Sequence, residues 1–219
     1  MAMLRRRVDN CADCELFHGS RCVFAPRAVK ADSVLNSQGT VPSEVGFIKS
    51  GIVAVSATNV AGEQTWGAVR GPRSLLGFEA LEGEKSQCEI RALTEVEMCS
   101  ATVPTVKFML GSPDGARRLF GLTLTEVLEQ RRDVDFRSGS AEARVARFAL
   151  ACERLIGHGS GRPISKARVA ALVGIRPETL SRILRRFSAH GLLDSKSGIR
   201  VLKRAALATL ADGDSTEGR

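Results

Sequence analysis

The stretch that decides the fold is ISKARVAALVGIRPETLSRILRRFSAHGLL, residues 164–193. It predicts two helices joined by a tight turn. Ser165 is placed to cap the first helix, and Gly174 suits the left-handed conformation in which many helices end. Pro177 then fits the first position of the second helix, because a missing N–H costs nothing there.

The second of these helices has one apolar face and one polar face. Its apolar side chains recur at the spacing of a buried stripe: Leu180, Ile183, Leu184 and Phe187. The same spacing on the opposite face brings together Glu178, Ser181, Arg182 and Arg185. Carboxylate, hydroxyl and guanidinium groups can bond to base edges in the major groove of DNA. The alternative is a helical hairpin with a solvated charged face, but the agreement of cap, turn, proline and polar face favours a DNA reader.

The segments around this pair predict a winged helix-turn-helix domain over residues 138–211. A helix is predicted at 141–156, and the glycine-rich hinge GHGSGRP follows at 157–163. After the pair, LLDSKSGIRVLKR (192–204) predicts a short hairpin that turns at Ser197 and Gly198. Residues 212–219 have the polar composition of a disordered tail.

The N-terminal part of the chain predicts a β-rich domain and then a long helix. Over residues 31–111, strand formers and frequent glycines favour a small sandwich or barrel. Residues 112–137 contain DGARRLFGLTLTEVLEQRRDVDF (114–136), which predicts one long helix. Its apolar face packs either on a second copy of the chain or on its own β-domain. The dimer is favoured, because DNA-binding proteins of this type usually bind two half-sites as dimers. The predicted fold class is therefore α+β.

Charge and composition favour a polyanionic partner. The 219 residues carry a formal net charge of +8, and Arg and Lys are dense between residues 162 and 204, where phosphate neutralisation would need them. No apolar run approaches the roughly 18 residues of a membrane span. The basic start MAMLRRRVDNC lacks the apolar core of a secretory signal, so we expect a cytoplasmic protein with no membrane partner.

The cysteines predict metal ligation or redox chemistry before disulfides, because cytoplasmic thiols stay reduced. Cys11 and Cys14 form a C-x2-C pair, and Cys22 follows in the same loop-like arm, residues 1–30. Three thiolates so close together can hold one metal ion or one iron–sulfur cluster, and Arg21 would offset their charge. Zinc, with His18 as a fourth ligand, fits the spacing equally well. Three unliganded thiols are the remaining alternative.

The other three cysteines lie further along the chain. Cys88 and Cys99 fall in the β-rich region, and either could supply a distant fourth ligand. Cys152 falls on the apolar face of a predicted helix and is most simply a small buried residue.

Taken in order, these parts resemble the CRP/FNR superfamily of bacterial transcription regulators, from about residue 27 to residue 210. Four segments carry the resemblance: FIKSG (47–51), SLLGFEAL (74–81), AEARVARF (141–148) and IRPETLSRILRRFSAHGLL (175–193). The resemblance implies an N-terminal β-roll like that of cyclic-nucleotide-binding domains, a long dimerisation helix and a C-terminal winged helix-turn-helix. In the FNR branch, the segment E-T-x-S-R contacts TTGAT half-sites, and its positions correspond here to Glu178, Ser181 and Arg182.

The FNR branch also implies the cluster ligands. That branch carries three cysteines in its N-terminal arm, matched here by Cys11, Cys14 and Cys22. A fourth lies in the β-roll, and EVEMCSATV (95–103) assigns it to Cys99. Cys88 matches no ligand of the branch. The C-x7-C spacing here is longer than the C-x5-C of FNR, and with only 24 residues between Cys22 and Phe47 a further N-terminal helix of FNR-like proteins is missing.

The resemblance argues against a cyclic nucleotide as effector. Nucleotide binders of the superfamily place a Gly-Glu pair and an Arg-Ser or Arg-Thr pair at the phosphate. Here Phe78 follows Gly77, and Ser86 occupies the arginine position. A buried phosphate without its arginine would be poorly compensated.

The resemblance therefore implies a homodimeric transcription regulator and not an enzyme. A [4Fe–4S] cluster would sense oxygen or redox state, and the cluster-bearing form would dimerise and bind palindromic double-stranded DNA. RNA polymerase is a further expected partner. One alternative is the same scaffold with zinc or a reversible thiol signal. A second is an iron–sulfur electron carrier, which gives no reason for a winged helix.

Overall fold

The computed structural model describes residues 22–131, 133, 135–156, 164–195 and 198–212. Its N-terminal domain contains β1 (Ala25–Val29), β2 (Val34–Asn36), β3 (Glu44–Ser50), β4 (Val53–Thr58), β5 (Gln64–Arg70), β6 (Leu75–Leu76), β7 (Glu89–Ala92) and β8 (Val96–Thr102), with a 3-10 helix at Phe78–Glu82. The strands form two four-stranded antiparallel sheets, in the orders β1-β8-β3-β6 and β2-β7-β4-β5. The β-rich domain predicted from the sequence is thus a two-sheet sandwich.

The core of the sandwich follows from the alternation of side chains along each strand. Ile48, Val96 and Met98 from one sheet share an apolar cluster with Val53 and Ile90 from the other. The intervening positions of β8 face the opposite way. There, Cys99 and Ala101 join a second cluster that includes Val106 and Leu119 of the helices that follow.

Strand β1 corrects one prediction, because residues 25–29 fall within the segment 1–30 that was expected to be loop-like. β1 is antiparallel to β8, with Pro26 opposite Cys99 and Val29 opposite Val96. Its side chains are mostly exposed, so the hydrophobic alternation that marks a strand in sequence is weak. Backbone pairing along the edge of β8 makes this segment a strand.

Two helices follow the sandwich, α1 (Val103–Leu110) and α2 (Pro113–Gln130). The hydroxyl of Ser112 accepts a hydrogen bond from the N–H of Gly115 at 3.1 Å and caps α2. The predicted helix extended to Phe136, and this part of the prediction is wrong. The chain leaves the helix after Gln130, so that Asp133 can bind Arg70 and Phe136 can pack edge-on against Phe148, with ring centroids 5.9 Å apart.

The C-terminal domain contains α3 (Ala141–Ile156), α4 (Lys166–Leu172), α5 (Pro177–Ala189), β9 (Leu193–Asp194), β10 (Arg200–Val201) and α6 (Arg204–Asp212). Gly174 joins α4 and α5 with a φ of +65°, as the sequence predicted. Ser165 is the N-cap residue of α4, as predicted, although its side chain makes no capping hydrogen bond. β9 and β10 pair as the wing, while Ser197 of the predicted turn, the hinge at 157–163 and the tail beyond residue 212 lie outside the described residues. No helix in the described part of the chain is long and apolar enough to cross a membrane.

The two domains share one apolar cluster. Ile52, Val69 and Leu93 of the sandwich belong to the same buried cluster as Phe148 and Leu172 of the C-terminal domain. The approach is close at β5, where a Cβ on Gly67 would lie 2.6 Å from a methyl carbon of Leu172. Gly71 leaves similar room for Leu155: a Cβ added to Gly71 would lie 2.9 Å from the Cβ of Leu155. The position of α4 is therefore fixed by the sandwich as well as by its own domain.

Candidate nucleic-acid interface

The apolar face of α5 fixes this helix in the C-terminal domain. Leu180, Ile183, Leu184 and Phe187 are all buried, as the spacing predicted. They belong to the same cluster as Val145 and Phe148 of α3. Because this stripe is packed in the core, the opposite face of α5 points away from the core.

That opposite face carries the residues predicted to contact DNA. Glu178, Arg182 and Arg185 are exposed, and Ser181 is half-buried. Pro177 begins the helix and places Glu178 in its first turn. The structure thus brings the four side chains onto one accessible surface whose chemistry suits hydrogen bonds to base edges and phosphates.

A carboxylate from α3 reaches the flank of this surface. Glu142, in the first turn of α3, forms an ion pair with Arg186 of α5, and the two side chains are 34% and 52% exposed. A cavity of about 490 Å³ beside the pair is lined by Thr179 and Arg182 among others. This pair was not predicted from the sequence, because its two members are far apart in the chain and only the packing of α3 against α5 brings them together.

The turn between α4 and α5 is held by an arginine of α3, and α4 itself is linked to the sandwich by a second arginine. Arg144 donates from one guanidinium nitrogen to the carbonyls of Val173 and Gly174, each at 3.1 Å. Arg168 of α4 donates to a carboxylate oxygen of Asp32 at 2.9 Å, which links α4 to the turn after β1. These contacts orient the helix that precedes α5.

Two of the predicted cluster ligands, Cys22 and Cys99, lie within the described residues, and they differ in exposure. Cys22 is exposed and hydrogen-bonds to the carbonyl of Phe24, with 3.7 Å from sulfur to oxygen. Cys99 is 6% exposed and belongs to the same apolar cluster as Phe24. Cys11 and Cys14, like His18 of the zinc alternative, lie outside the described residues. Within the described residues, no three metal-binding side chains are grouped together.

The other two cysteines have different surroundings. Cys152 is fully enclosed in α3, and burial raises the pKa of its thiol to about 12. It is the small buried residue that the sequence predicted. Cys88 is half-buried beside a cavity of the sandwich, and burial raises its thiol pKa against the opposing effect of a hydrogen bond with Ser86.

Ser86, which the resemblance matched to the arginine position of nucleotide binders, has a structural role. It is 1% exposed, and its hydroxyl donates to the carbonyl of Cys88 at 3.0 Å. Its backbone N–H donates to Thr40, and its carbonyl accepts from Gly39. The side chain thus closes a loop and offers no positive charge to a phosphate.

Family models match both domains of this chain. Residues 26–111 match the cyclic nucleotide-binding domain, and residues 143–210 match the Crp-like helix-turn-helix domain. These two matches in this order, covering most of the chain, define the class, and the chain belongs to the CRP/FNR family of DNA-binding transcription regulators. Members of this family regulate transcription and are not enzymes.

Known relatives come from both branches of the family. The chain is 24% identical to the transcriptional activator protein FnrA of Stutzerimonas stutzeri, over 85% of this chain and 80% of that protein. It is 29% identical to the cyclic AMP receptor protein of Thermus thermophilus, over 88% of this chain and 94% of that protein. Identity alone therefore does not assign an effector.

Solved structures agree on the fold. The structure of FixK2 from Bradyrhizobium japonicum matches with a TM-score of 0.66 at 21% identity, covering 86% of this chain and 98% of that one. A CRP-family regulator from Thermus thermophilus matches with a TM-score of 0.64 at 18% identity, covering 84% of this chain and 96% of that one. These matches confirm the predicted fold class, in which a β-roll is followed by a long helix and a helix-turn-helix domain.

Proposed function

We propose that this regulator belongs to the FNR-like branch and senses oxygen or redox state through a [4Fe–4S] cluster held by Cys11, Cys14, Cys22 and Cys99. The observation that carries the proposal is the position of Phe24. This residue, two positions after Cys22, packs in the same apolar cluster as Cys99, so the chain leaving the cysteine arm runs over the Cys99 side of the sheet. A Cys99 thiolate in this apolar setting fits an iron–sulfur cluster, because ligation neutralises charge that burial would otherwise oppose.

Cys99 also shares its apolar cluster with the helices that follow the sandwich. Its apolar cluster includes Val106 and Met109 of α1 and Leu119 of α2. A change in ligation at Cys99 would therefore alter the packing beneath α2. When bound, the cluster supplies iron–thiolate bonds that oxidants break, and the protein residues named here transmit the resulting change in packing.

The exposed face of α2 supports a homodimer. Large apolar side chains stand in the solvent along one side of this helix, namely Phe120, Leu124, Val127 and Leu128. These side chains recur about every helical turn and form one apolar stripe, as in helices that pack in parallel against a neighbour. Leu119 and Glu126, on the other side of α2, are buried, so packing on its own β-domain leaves the exposed stripe available to a second copy.

The exposed face of α5 supports recognition of TTGAT-type half-sites. Arg182 can donate in a bidentate manner to guanine, and Glu178 can accept from the amine of cytosine. Two such faces in a symmetric dimer would read a palindrome, and linking two half-sites converts a modest change in dimerisation into a large change in DNA occupancy.

The test is anaerobic purification followed by iron, sulfide and zinc analysis and by visible absorption spectroscopy. We expect a brown protein with about four irons per chain, the content of one such cluster. Cys99→Ala should remove the iron, and Cys88→Ala should retain it. Of these two cysteines, only Cys99 packs in the apolar core with Phe24, beside the cysteine arm. Colourless protein with one zinc per chain would support the zinc alternative in its place.

DNA binding must be measured on the same preparations. Under nitrogen, the iron-loaded protein should sediment as a dimer and bind a TTGAT palindrome more tightly than after exposure to air. Cys152→Ala is a matched control, because this thiol is enclosed in α3 and should change neither the spectrum nor the oxygen response. Identical sedimentation and DNA binding in air and under nitrogen would remove the proposed switch.

A further inference from the structure

Arg168 lies on the exposed side of α4, the first helix of the helix-turn-helix. Lys166, Ala167 and Arg168 are exposed, whereas Val169 and Leu172 are buried. In helix-turn-helix domains, the second helix enters the major groove and the first helix crosses the sugar–phosphate backbone. An exposed arginine on α4 is therefore on the element that passes the phosphates, where a guanidinium can make a contact that does not depend on base sequence.

In this structure, the guanidinium of Arg168 is bound to the sandwich. Its Nε donates to Oδ1 of Asp32 at 2.9 Å, and the two side chains are 45% and 52% exposed. A carboxylate and a phosphate are the same kind of partner for a guanidinium, because both are anions whose oxygens accept its N–H groups in a forked arrangement. Asp32 thus gives Arg168 the type of partner that DNA would give it.

The turn that carries Asp32 is fastened to the sandwich, so its carboxylate has a defined position. Asp32 has a φ of +67°, a conformation that Asp and Asn tolerate better than most residues. Its N–H donates to the carbonyl of Ala92 at 2.9 Å, and its carbonyl accepts from a guanidinium nitrogen of Arg91 at 2.9 Å. Both partners belong to β7, which lies in the same sheet as Gly67, the residue that Leu172 of α4 approaches.

The pair of Arg168 and Asp32 is weak enough for DNA to break. Water screens both charges of a half-exposed ion pair, and each side chain loses freedom in forming it. When a phosphate displaces the carboxylate, the phosphate releases its bound cation, but the freed carboxylate takes up another. The exchange therefore adds little to the salt dependence of DNA binding, whereas an arginine with no carboxylate partner would add a full phosphate contact.

We propose that Arg168 is a phosphate-binding residue of this regulator and that Asp32 occupies its guanidinium until DNA displaces the carboxylate. The sandwich thereby lowers the affinity of the helix-turn-helix for DNA of any sequence, and a rearrangement that withdraws Asp32 from α4 raises that affinity. The proposal rests on DNA binding by the helix-turn-helix. It requires neither the iron–sulfur cluster nor a particular half-site, so it would remain if those proposals failed.

The test measures binding of the full chain to a random-sequence duplex by fluorescence anisotropy over a series of salt concentrations. Asp32→Asn removes the charge with a residue that tolerates the same φ. We expect binding to tighten about 2- to 5-fold per bound protomer, the strength of a surface ion pair. The slope of log K against log salt concentration should steepen by about 0.9 for each arginine released.

Asp114→Asn is the matched control. It also neutralises an exposed aspartate that pairs with an arginine, in this case Arg117. Asp114 lies in the first turn of α2, about 22 Å along that helix from Glu129, which contacts Arg154 of the C-terminal domain. This variant should leave both the affinity and the salt slope unchanged.

Two further variants identify the released arginine and guard against misfolding. Asp32→Gly should reproduce the gain in affinity, since glycine adopts the positive φ of this turn without strain. The double variant Asp32→Asn/Arg168→Gln should bind random duplex no more tightly than Arg168→Gln alone, because no guanidinium remains to be released. Unchanged or weaker binding by both Asp32 variants would show that the pair only orients α4 and would overturn the proposal. A gain that persists in the double variant would overturn it as well, because the carboxylate would then act without Arg168.

Discussion

Replacing Arg70 by methionine tests whether the buried charge cluster that Arg70 forms with Glu126 and Asp133 holds α2 to the sandwich. Methionine has a similar length and fills the space, but it leaves Glu126 and Asp133 without their cation. The side chains of Arg70 and Glu126 are each 4% exposed, and that of Asp133 is 13% exposed. Breaking a buried ion pair by removing one partner costs about 3–5 kcal/mol, because the remaining charge stays desolvated.

The assay is thermal and urea unfolding followed by circular dichroism at one fixed protein concentration, since a dimer would make the transition concentration-dependent. For a chain of this size, the expected loss corresponds to a fall in melting temperature of roughly 6–20 °C. Arg117→Met is the matched control, on the helix that carries Glu126. Arg117 pairs with Asp114 in the solvent, where an ion pair contributes about 0–1 kcal/mol.

Two results would refute this reasoning. A fall for Arg70→Met no larger than that for Arg117→Met would show that the buried cluster contributes no more than a surface pair. A large fall that persists when Glu126 and Asp133 are also made neutral would show that the loss comes from packing around the methionine. If the account is correct, the triple variant recovers much of the lost stability, because no uncompensated charge remains buried.

Three further predictions concern the proposed DNA-contacting face of α5 and the exposed stripe of α2. Arg182→Ala should cost about 1–3 kcal/mol on a specific palindrome and little on random duplex, as measured by fluorescence anisotropy; an equal loss on both would make Arg182 a phosphate contact. Glu142→Gln should release Arg186 from its ion pair and let it contact a phosphate. The slope of log K against log salt concentration on random duplex should then steepen by about 0.9 per added phosphate contact. An unchanged slope would show that Arg186 does not contact DNA. Leu124→Asp should place a charge in the exposed stripe of α2 and shift the sedimenting species from dimer to monomer, whereas Arg117→Asp, on an exposed part of the same helix, should not.

The helix-turn-helix was predictable because its signals are local. The αL conformation of Gly174, the helix start at Pro177 and the buried stripe of α5 all follow from spacings within 30 residues, and the structure reproduces each of them. The hydroxyl of Ser165 shows the limit of such reasoning. A residue type that favours a cap defines the position, but the rotamer that makes the hydrogen bond depends on the surroundings.

Features that depend on distant partners escaped the sequence analysis. β1 is a strand because β8 offers an edge to it, and its own exposed side chains carry no clear alternation. The end of α2 at Gln130 depends on Arg70 in β5, which binds Asp133 beyond that helix. The pair of Glu142 and Arg186 likewise exists only once α3 and α5 are packed together. Periodicity contains no information about these contacts.

The closeness of β5 to α4 at Gly67 has a thermodynamic consequence. Because Leu172 and the sandwich residue Val69 share one apolar cluster, opening β5 exposes apolar surface of both domains. If the closed sandwich strengthens DNA binding by a given free energy, bound DNA must stabilise the closed sandwich by the same free energy. Amide hydrogen exchange would detect this reciprocity as slower exchange along β5 in the complex, in a strand that lies in the other domain from the DNA-reading helix.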